Sequence, residues 1–143
     1  MDNISASVRV MYEEFVNHPN YPDDMFVTSG EAKEMIDDSS MVIVVDTNRP
    51  KMTECPELLT MTKTVVVFDH HRQSSDNIES ALLSYIEPYA SSACEMVSEV
   101  LQYIVDDVKI PAMEANSLYA GIMIDTNNFL NKTGVRTFEA AAS

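Results

Sequence analysis

Residues Val65 to Arg72 read VVVFDHHR, and this stretch decides the fold. Its first four residues are β-branched or aromatic, which suits a buried strand of a parallel sheet. The apolar run stops abruptly, so the strand delivers Asp69, His70, His71 and Arg72 to its carboxyl edge. Open α/β sheets bind their ligands at that edge, and the stretch therefore predicts a ligand site there.

A second run of the same kind lies upstream, where MVIVV at Met41 to Val45 stops at Asp46. If the two strands are parallel neighbours, Asp46 lies beside Asp69, His70 and His71. Carboxylates and imidazoles that converge in this way are typical ligands of a divalent metal. Taken alone, Asp46 better fits an acid at a helix N-terminus or in an Asx turn, so the predicted metal site depends on the whole cluster.

Helical and extended segments alternate along the chain. The apolar spacing predicts a helix over residues 3–16 and a short helix over Glu31–Ile36, both before the first strand. One or two helical turns are expected over Pro56–Met61 and a third strand over Leu82–Ile86. This alternation predicts an α/β fold, with a mostly parallel sheet flanked by helices.

The C-terminal half of the chain has a helical period. Ser92 and Glu95 have the spacing of a capping box, which opens a helix that Asp106 and Asp107 should end. Pro111 then opens a further helix that runs as far as Asp125. That aspartate is more often a helix stop than a ligand.

Composition limits the possible partners of the chain. Its 9 basic and 23 acidic residues give a net charge of −14, which disfavours binding to duplex nucleic acid. No segment approaches the roughly 18 continuous apolar residues of a membrane span, so no membrane contact and a cytoplasmic location are expected. Two cysteines without a CxxC pair suit a reducing compartment. The three glycines leave no phosphate-binding loop of known pattern.

Two arginines and two histidines are candidates for contact with a substrate. Arg72 and Arg136 could each bind a phosphate through two hydrogen bonds, although a lone arginine is usually a solvated charge. Because side chains alternate along a strand, His70 and His71 are expected to point in opposite directions. We therefore expect only one of the two imidazoles to bind a given metal ion.

Four motifs stand in order along the chain: VVDTNRP (Val44–Pro50), FDHHRQ (Phe68–Gln73), GIMIDTNNF (Gly121–Phe129) and TGVRTFEAA (Thr133–Ala141). In this order they resemble the motifs of the DHH phosphoesterase family, and most closely its GdpP-like branch of cyclic-di-AMP phosphodiesterases. The resemblance covers nearly the whole chain. It implies a phosphodiesterase that uses two manganese ions.

The resemblance also implies a role for each matching residue. Asp46 would bridge the two manganese ions, and His70 and Asp125 would complete the ligands of the second ion. His71 and Arg136 would face the substrate phosphate as catalytic residues. Asp69 would support the site as a further catalytic group. Arg72 would be an additional phosphate ligand.

The N-terminus departs from the family pattern. The family begins with a motif of the form His-x-x-x-Asp-x-Asp, and MDNISAS at residues 1–7 resembles only its tail. Asp2 would then be the final acid of that motif and a metal ligand. The resemblance thus implies that residues 1–143 are one DHH domain cut within its first metal motif. The sheet would be incomplete at the N-terminus, and the DHHA1 subdomain would be absent.

The implied reaction is manganese-dependent hydrolysis of cyclic di-AMP to a linear dinucleotide, with this fragment expected to be inactive alone. One alternative is a relative that acts on short oligonucleotides (nanoRNase-like) or, less so, a pyrophosphatase. Another is a non-catalytic remnant that binds a metal or a partner. A full-length GdpP-like parent would be membrane-anchored with this domain in the cytoplasm, and a homodimer formed through it remains open.

Overall fold

The VVVFD stretch forms the middle strand of a parallel sheet in the computed structural model of the chain, which describes residues 4–73, 75–104 and 109–143. The strands are β1 (Met41–Val45), β2 (Thr64–Asp69) and β3 (Leu83–Ile86), and their spatial order is β1-β2-β3. Both strand pairings are parallel. The structure therefore confirms the α/β class and the parallel sheet.

Helices flank this sheet. Within the described ranges they are α1 (Ala6–Asn17), α2 (Ser29–Met35), α3 (Leu58–Met61), α4 (Ala93–Ile104), α5 (Ala112–Asp125) and α6 (Val135–Ala142). Helix α4 packs against β2, α5 and α6. None of the helices in the described part of the chain combines the length and the apolar character needed to cross a bilayer.

The middle strand carries the core. Val65 and Val67 are completely buried, and Val44, Leu59 and Ile78 pack in the same cluster. Every second residue of β2 is buried, as the two-residue period of a strand requires. By contrast, three apolar residues of β1 are about half exposed, namely Met41, Ile43 and Val45.

The start of one helix and the presence of one short turn differ from the predictions. Helix α2 begins two residues before Glu31, since Thr28 and Glu31 form a reciprocal capping box. A 3-10 turn at Pro50–Met52 was not predicted. It begins with Pro50, and a proline is tolerated at the first position of a helix because the N–H that it lacks would have no partner within the helix. The helix predicted over residues 3–16 is observed as α1, and Asn3 lies outside the described residues.

The C-terminal helices agree with their predictions more closely. Helix α5 begins just after Pro111 and ends at Asp125, as expected. The predicted end of α4 at Asp106 and Asp107 lies outside the described residues.

A buried carboxylate joins the beginnings of α4 and α6. The Ser92 hydroxyl accepts a hydrogen bond from the Glu95 N–H at 3.0 Å, which confirms half of the predicted capping box. The Glu95 carboxylate does not return a bond to Ser92; it accepts from the Ser91 N–H at 3.0 Å and from the Thr137 hydroxyl. Glu95 is 2% exposed, so these hydrogen bonds replace those that it loses with water.

Candidate metal centre

The ends of two strands bring Asp46 and Asp69 to the same edge of the sheet. In the register of β1 on β2, Val45 pairs with Phe68, so the residues that follow them are level. The Asp46 N–H donates a hydrogen bond to the Phe68 carbonyl at 3.0 Å. Asp46 has a φ of 69°, a left-handed conformation that aspartate tolerates better than most residues. Such strain often accompanies function, and here it leaves the carboxylate exposed at the edge.

Four predicted site residues meet at this edge. One donor atom from each of Asp46, Asp69, His70 and His71 lies within 4.8 Å of the others. His70 Nε2 is 3.2 Å from Asp46 Oδ1, and the His70 side chain is only 8% exposed. The same nitrogen is 3.9 Å from Oδ2 of Asp125, which ends α5. The structure therefore brings Asp125 next to the four-residue cluster.

Asp69 fixes the orientation of His71. The Asp69 side chain is completely buried, and its Oδ1 accepts a hydrogen bond from the His71 N–H at 3.2 Å. The same oxygen lies 2.7 Å from His71 Nδ1. Since a carboxylate oxygen accepts, the tautomer of the imidazole that fits this contact has its proton on Nδ1 and its lone pair on Nε2. The His71 side chain is 57% exposed, so the fixed ring is accessible to a ligand.

The two imidazole rings lie close together. Their centroids are 4.2 Å apart and their planes are inclined by 43°. The expectation that His70 and His71 point in opposite directions is wrong, because β2 ends at Asp69 and the alternation ends with it. Both rings are near enough to take part in one metal centre.

Asn48 belongs to the site, and the sequence reasoning did not single it out. Its side-chain amide donates to Asp69 Oδ2 at 2.6 Å, and the residue is 3% exposed. The amide nitrogen also lies 3.5 Å from the His71 carbonyl. Because both partners are acceptors, the nitrogen of the amide and not its oxygen faces them. Asn48 Oδ1 has no hydrogen-bond partner in the described part of the chain. The signal in the sequence that could have identified Asn48 is its position two residues after Asp46, the acid that follows β1.

A cleft of about 490 Å³ opens beside the cluster. Asp46, Asp69 and His71 line it, and so do Arg49 and Arg72. The structure thus places the predicted phosphate ligand Arg72 next to the candidate metal ligands. Arg49 was not among the predicted site residues.

Two further residues, Arg136 and Asp2, were predicted to belong to the site. The described contacts of Arg136 are with other residues. Arg136 Nη2 lies 2.5 Å from Glu99 Oε2, and Arg136 Nη1 lies 3.8 Å from Glu87 Oε2. A third contact of the guanidinium is with the Tyr85 hydroxyl at 3.4 Å. The role of Arg136 in binding phosphate therefore stays a prediction. Asp2 lies outside the described residues, so its role as a ligand stays a prediction too.

The donor set suits a divalent metal that accepts oxygen and nitrogen ligands. Carboxylates and imidazoles are available, a combination that manganese accepts readily. Burial, followed by the charges of Asp125 and Asp46, raises the pKa of the thiol of the nearby Cys94.

Comparisons with known proteins show the family of the chain. Residues 1–122 match the DHH family, N-terminal domain. The chain is 42% identical over 139 residues to the cyclic-di-AMP phosphodiesterase PdeA of Listeria monocytogenes serotype 1/2a (strain 10403S), covering 97% of the chain and 21% of that protein. It is 43% identical over 117 residues to the cyclic-di-AMP phosphodiesterase GdpP of Bacillus subtilis (strain 168), covering 82% of the chain and 18% of that protein.

More distant similarities extend beyond that branch. The chain is 35% identical over 106 residues to the bifunctional oligoribonuclease and PAP phosphatase NrnA of Mycoplasma genitalium, covering 72% of the chain and 32% of that protein. The crystal structure of an exopolyphosphatase-related protein from Bacteroides fragilis has a TM-score of 0.71 and 18% identity, covering 90% of the chain and 39% of that chain. This structural likeness shows the fold alone. The chain spans about a fifth of the length of PdeA and GdpP.

Proposed function

Because the chain belongs to the DHH family, we propose that it is part of a metal-dependent phosphodiesterase that hydrolyses cyclic di-AMP to a linear dinucleotide. The observation that carries the proposal is the convergence of Asp46, Asp69, His70 and His71, whose donor atoms lie within 4.8 Å of one another. The names of PdeA and GdpP, at 42% and 43% identity, support cyclic di-AMP as the substrate.

Manganese is the proposed metal. Asp46, His70 and Asp125 would hold it, with Asp46 bridging two ions and Asp2 contributing to the first. A bound pair of divalent metals supplies Lewis-acid activation of the phosphoryl group and of the attacking water. The support for this assignment is the chemistry of the donors, which are hard oxygens and imidazole nitrogens.

The chain's own side chains would position the substrate phosphate and control protons. His71 holds a proton at Nδ1 against Asp69, which leaves Nε2 to accept a proton from the attacking water or, when protonated, to donate one to the leaving oxygen of the phosphodiester. Asn48 fixes the other oxygen of Asp69, so the buried carboxylate cannot rotate away from His71. Arg72 would contact a phosphate group of the substrate from the wall of the cleft. Arg136 would contact the reacting phosphate only after releasing Glu99.

Short oligonucleotides are the second candidate substrate. The similarity to NrnA, named as an oligoribonuclease, favours this alternative. Both substrates present a phosphodiester to the same cluster, so the cluster does not discriminate between them. We propose that the rest of the larger protein selects the substrate, because the chain spans only about a fifth of its relatives.

We further propose that residues 1–143 form one DHH domain that has little or no phosphodiesterase activity by itself. The resemblance to GdpP-like proteins supports a membrane-anchored parent that holds this domain in the cytoplasm and carries a separate DHHA1 subdomain. A non-catalytic module that binds metal or a partner is the alternative for the chain alone. Activity measurements on the chain and on the larger protein separate these possibilities.

The decisive experiment compares hydrolysis of cyclic di-AMP and of the linear dinucleotide pApA with added manganese. Three proteins are needed: this chain, the chain extended upstream through a His-x-x-x-Asp motif, and the chain extended at both ends. We expect turnover to appear with extension and to disappear in the doubly extended protein that carries Asp46→Asn. Hydrolysis of pApA but not of cyclic di-AMP would favour the oligonucleotide reading. The absence of metal-dependent hydrolysis in every protein would refute the proposal.

A further inference from the structure

Two arginines line the cleft without an acidic partner among the described residues. Arg49 and Arg72 both lie on the wall of the 490 Å³ cleft, and neither forms an ion pair within the described ranges of the chain. By contrast, Arg136 is bound by Glu99 and lies near Glu87. The unpaired charges of the cleft are therefore available to an anion from outside the chain.

The nearest carboxylates are already engaged by other groups. Asp69 accepts hydrogen bonds from Asn48 and His71, and Asp46 lies 3.2 Å from His70. The acids that share the cleft with the arginines thus face imidazoles and an amide. A guanidinium without a carboxylate partner most readily binds a phosphate, whose oxygens match its fork of N–H donors.

The backbone around Arg49 is fixed before any ligand binds. Its N–H donates to Thr47 Oγ1 at 3.2 Å, which closes a tight local turn. Pro50 follows directly, and a proline restricts the preceding residue to the extended conformation observed here, with φ −108° and ψ 124°. A backbone that is ordered in advance lowers the entropy cost of holding an anion.

The cleft is also larger than a single phosphate requires. A volume of about 490 Å³ falls within the range of sites that bury a whole small molecule. Asp46, His71 and the two arginines share this one space. A substrate with two phosphates could therefore place one at the metal cluster and the other between the arginines.

We propose that Arg49 and Arg72 form an anion subsite that binds the second, non-reacting phosphate of a substrate with two phosphate groups. The inference rests on the proposed function in one respect, namely that the first phosphate occupies the metal cluster. The subsite itself needs no metal. It gives the cleft a preference for dinucleotides over compounds with a single phosphate.

Calorimetric titration of the 143-residue chain with inorganic pyrophosphate, in the presence of a chelator, tests the subsite directly. Pyrophosphate carries two phosphate groups and no base, so its binding reports on anion recognition alone. We expect Arg49→Ala and Arg72→Ala each to weaken binding about tenfold, or about 1.4 kcal/mol. Arg49→Lys should lose only part of this, because it keeps the charge but not the fork.

The matched control is Arg9→Ala, since Arg9 is an exposed arginine of α1 that does not line the cleft. Its effect on pyrophosphate affinity should stay within about twofold, as for surface substitutions generally. Asp46→Asn should strengthen metal-free binding, because it removes a negative charge from the cleft. No pyrophosphate binding by the unsubstituted chain, or equal losses in Arg49→Ala and Arg9→Ala, would overturn the subsite.

A separate titration with manganese distinguishes this failure from failure of the proposed function. If the chain binds pyrophosphate through the arginines but does not bind manganese, the subsite stands and the metal assignment falls. If manganese binds and pyrophosphate does not, only the subsite is overturned. Circular dichroism melts of each arginine variant establish that a lost affinity does not reflect unfolding.

Discussion

The cleft beside the metal cluster and the contact between α4 and α6 use the same residue types in opposite states. In the cleft, Arg49 and Arg72 have no acidic partner in the described structure, and the Asp46 side chain is 59% exposed. Between the helices, Glu99 binds Arg136 and the buried Glu95 accepts from Thr137. Polar groups of the helix contact are satisfied by the chain, whereas Arg49 and Arg72 in the cleft are exposed to solvent.

This difference separates stability from function within one small domain. A satisfied buried network contributes to folding because removal of one member leaves its partners without hydrogen bonds. An open cleft contributes little to folding, since its groups are hydrated in both the folded and the unfolded state. Substitutions between the helices should therefore change the free energy of unfolding, and substitutions in the cleft should change ligand affinity.

The largest effect on stability is expected for Glu95→Ala. The change leaves the Ser91 N–H and the Thr137 hydroxyl without their buried acceptor, at a cost of about 3 kcal/mol in the free energy of unfolding. Urea denaturation measures it. Glu95→Gln is the matched control, since its amide oxygen still accepts one hydrogen bond and should lose less. A loss below about 1 kcal/mol for Glu95→Ala would mean that the helix contact does not depend on this network.

A nearly equal effect, but on metal affinity, is expected for Asp46→Asn. Asparagine tolerates the left-handed backbone at this position, so the substitution removes the charge with little strain. Manganese affinity should fall about 100-fold, or about 2.7 kcal/mol, while the free energy of unfolding changes by less than about 0.5 kcal/mol. Calorimetry should show a smaller loss for Asp125→Asn, and equal losses would refute the bridging role of Asp46.

Asn48→Ala should affect both properties, because Asn48 is buried but supports the cleft. The buried Asp69 carboxylate loses its 2.6 Å hydrogen bond, which should cost about 1 to 2 kcal/mol of stability. Manganese affinity should fall about tenfold, as is common when a residue that orients metal ligands is removed. Urea denaturation and manganese titration of one preparation measure the two effects. Unchanged metal affinity would place Asn48 with the purely structural residues.

Gly121→Ala tests how closely α4 and α5 approach each other. A Cβ at Gly121 would overlap Cys94 Sγ and lie 3.1 Å from Cys94 Cβ. Overpacking costs about 1 to 3 kcal/mol, which exceeds the gain of about 1 kcal/mol in helix propensity. We expect a net loss of about 1 kcal/mol in thermal or urea unfolding. In a Cys94→Ala background the loss should become smaller, because only the 3.1 Å approach to the Cβ of residue 94 remains, and an unchanged loss there would contradict the steric explanation.

The strands and the clustering of the site were predictable from the sequence because both depend on short apolar runs that end in polar residues. Val65 to Asp69 and Met41 to Asp46 each show where a strand stops, and parallel pairing then brings the two ends together. The partners of Arg136 and Asn48 were not predictable. They depend on how α6 packs on α4 and how a turn folds back on β2, and neither leaves a periodic pattern in the sequence.

The smallest expected effect is that of Arg136→Ala on stability, despite the 2.5 Å distance between Arg136 and Glu99. Both side chains are partly exposed, so water and salt screen the pair, and its loss should cost less than about 1 kcal/mol and shrink at high salt. Glu99 raises the pKa of Arg136. Arg136 still stays charged after Glu99→Gln, because a guanidinium without an acidic partner is also protonated at neutral pH. If Arg136 binds the substrate phosphate, Glu99→Gln should free it and strengthen pyrophosphate binding by the manganese-loaded chain, with Glu87→Gln as the control for a weaker neighbour. Unchanged binding would assign Arg136 to the helix contact and leave the anion to Arg49 and Arg72.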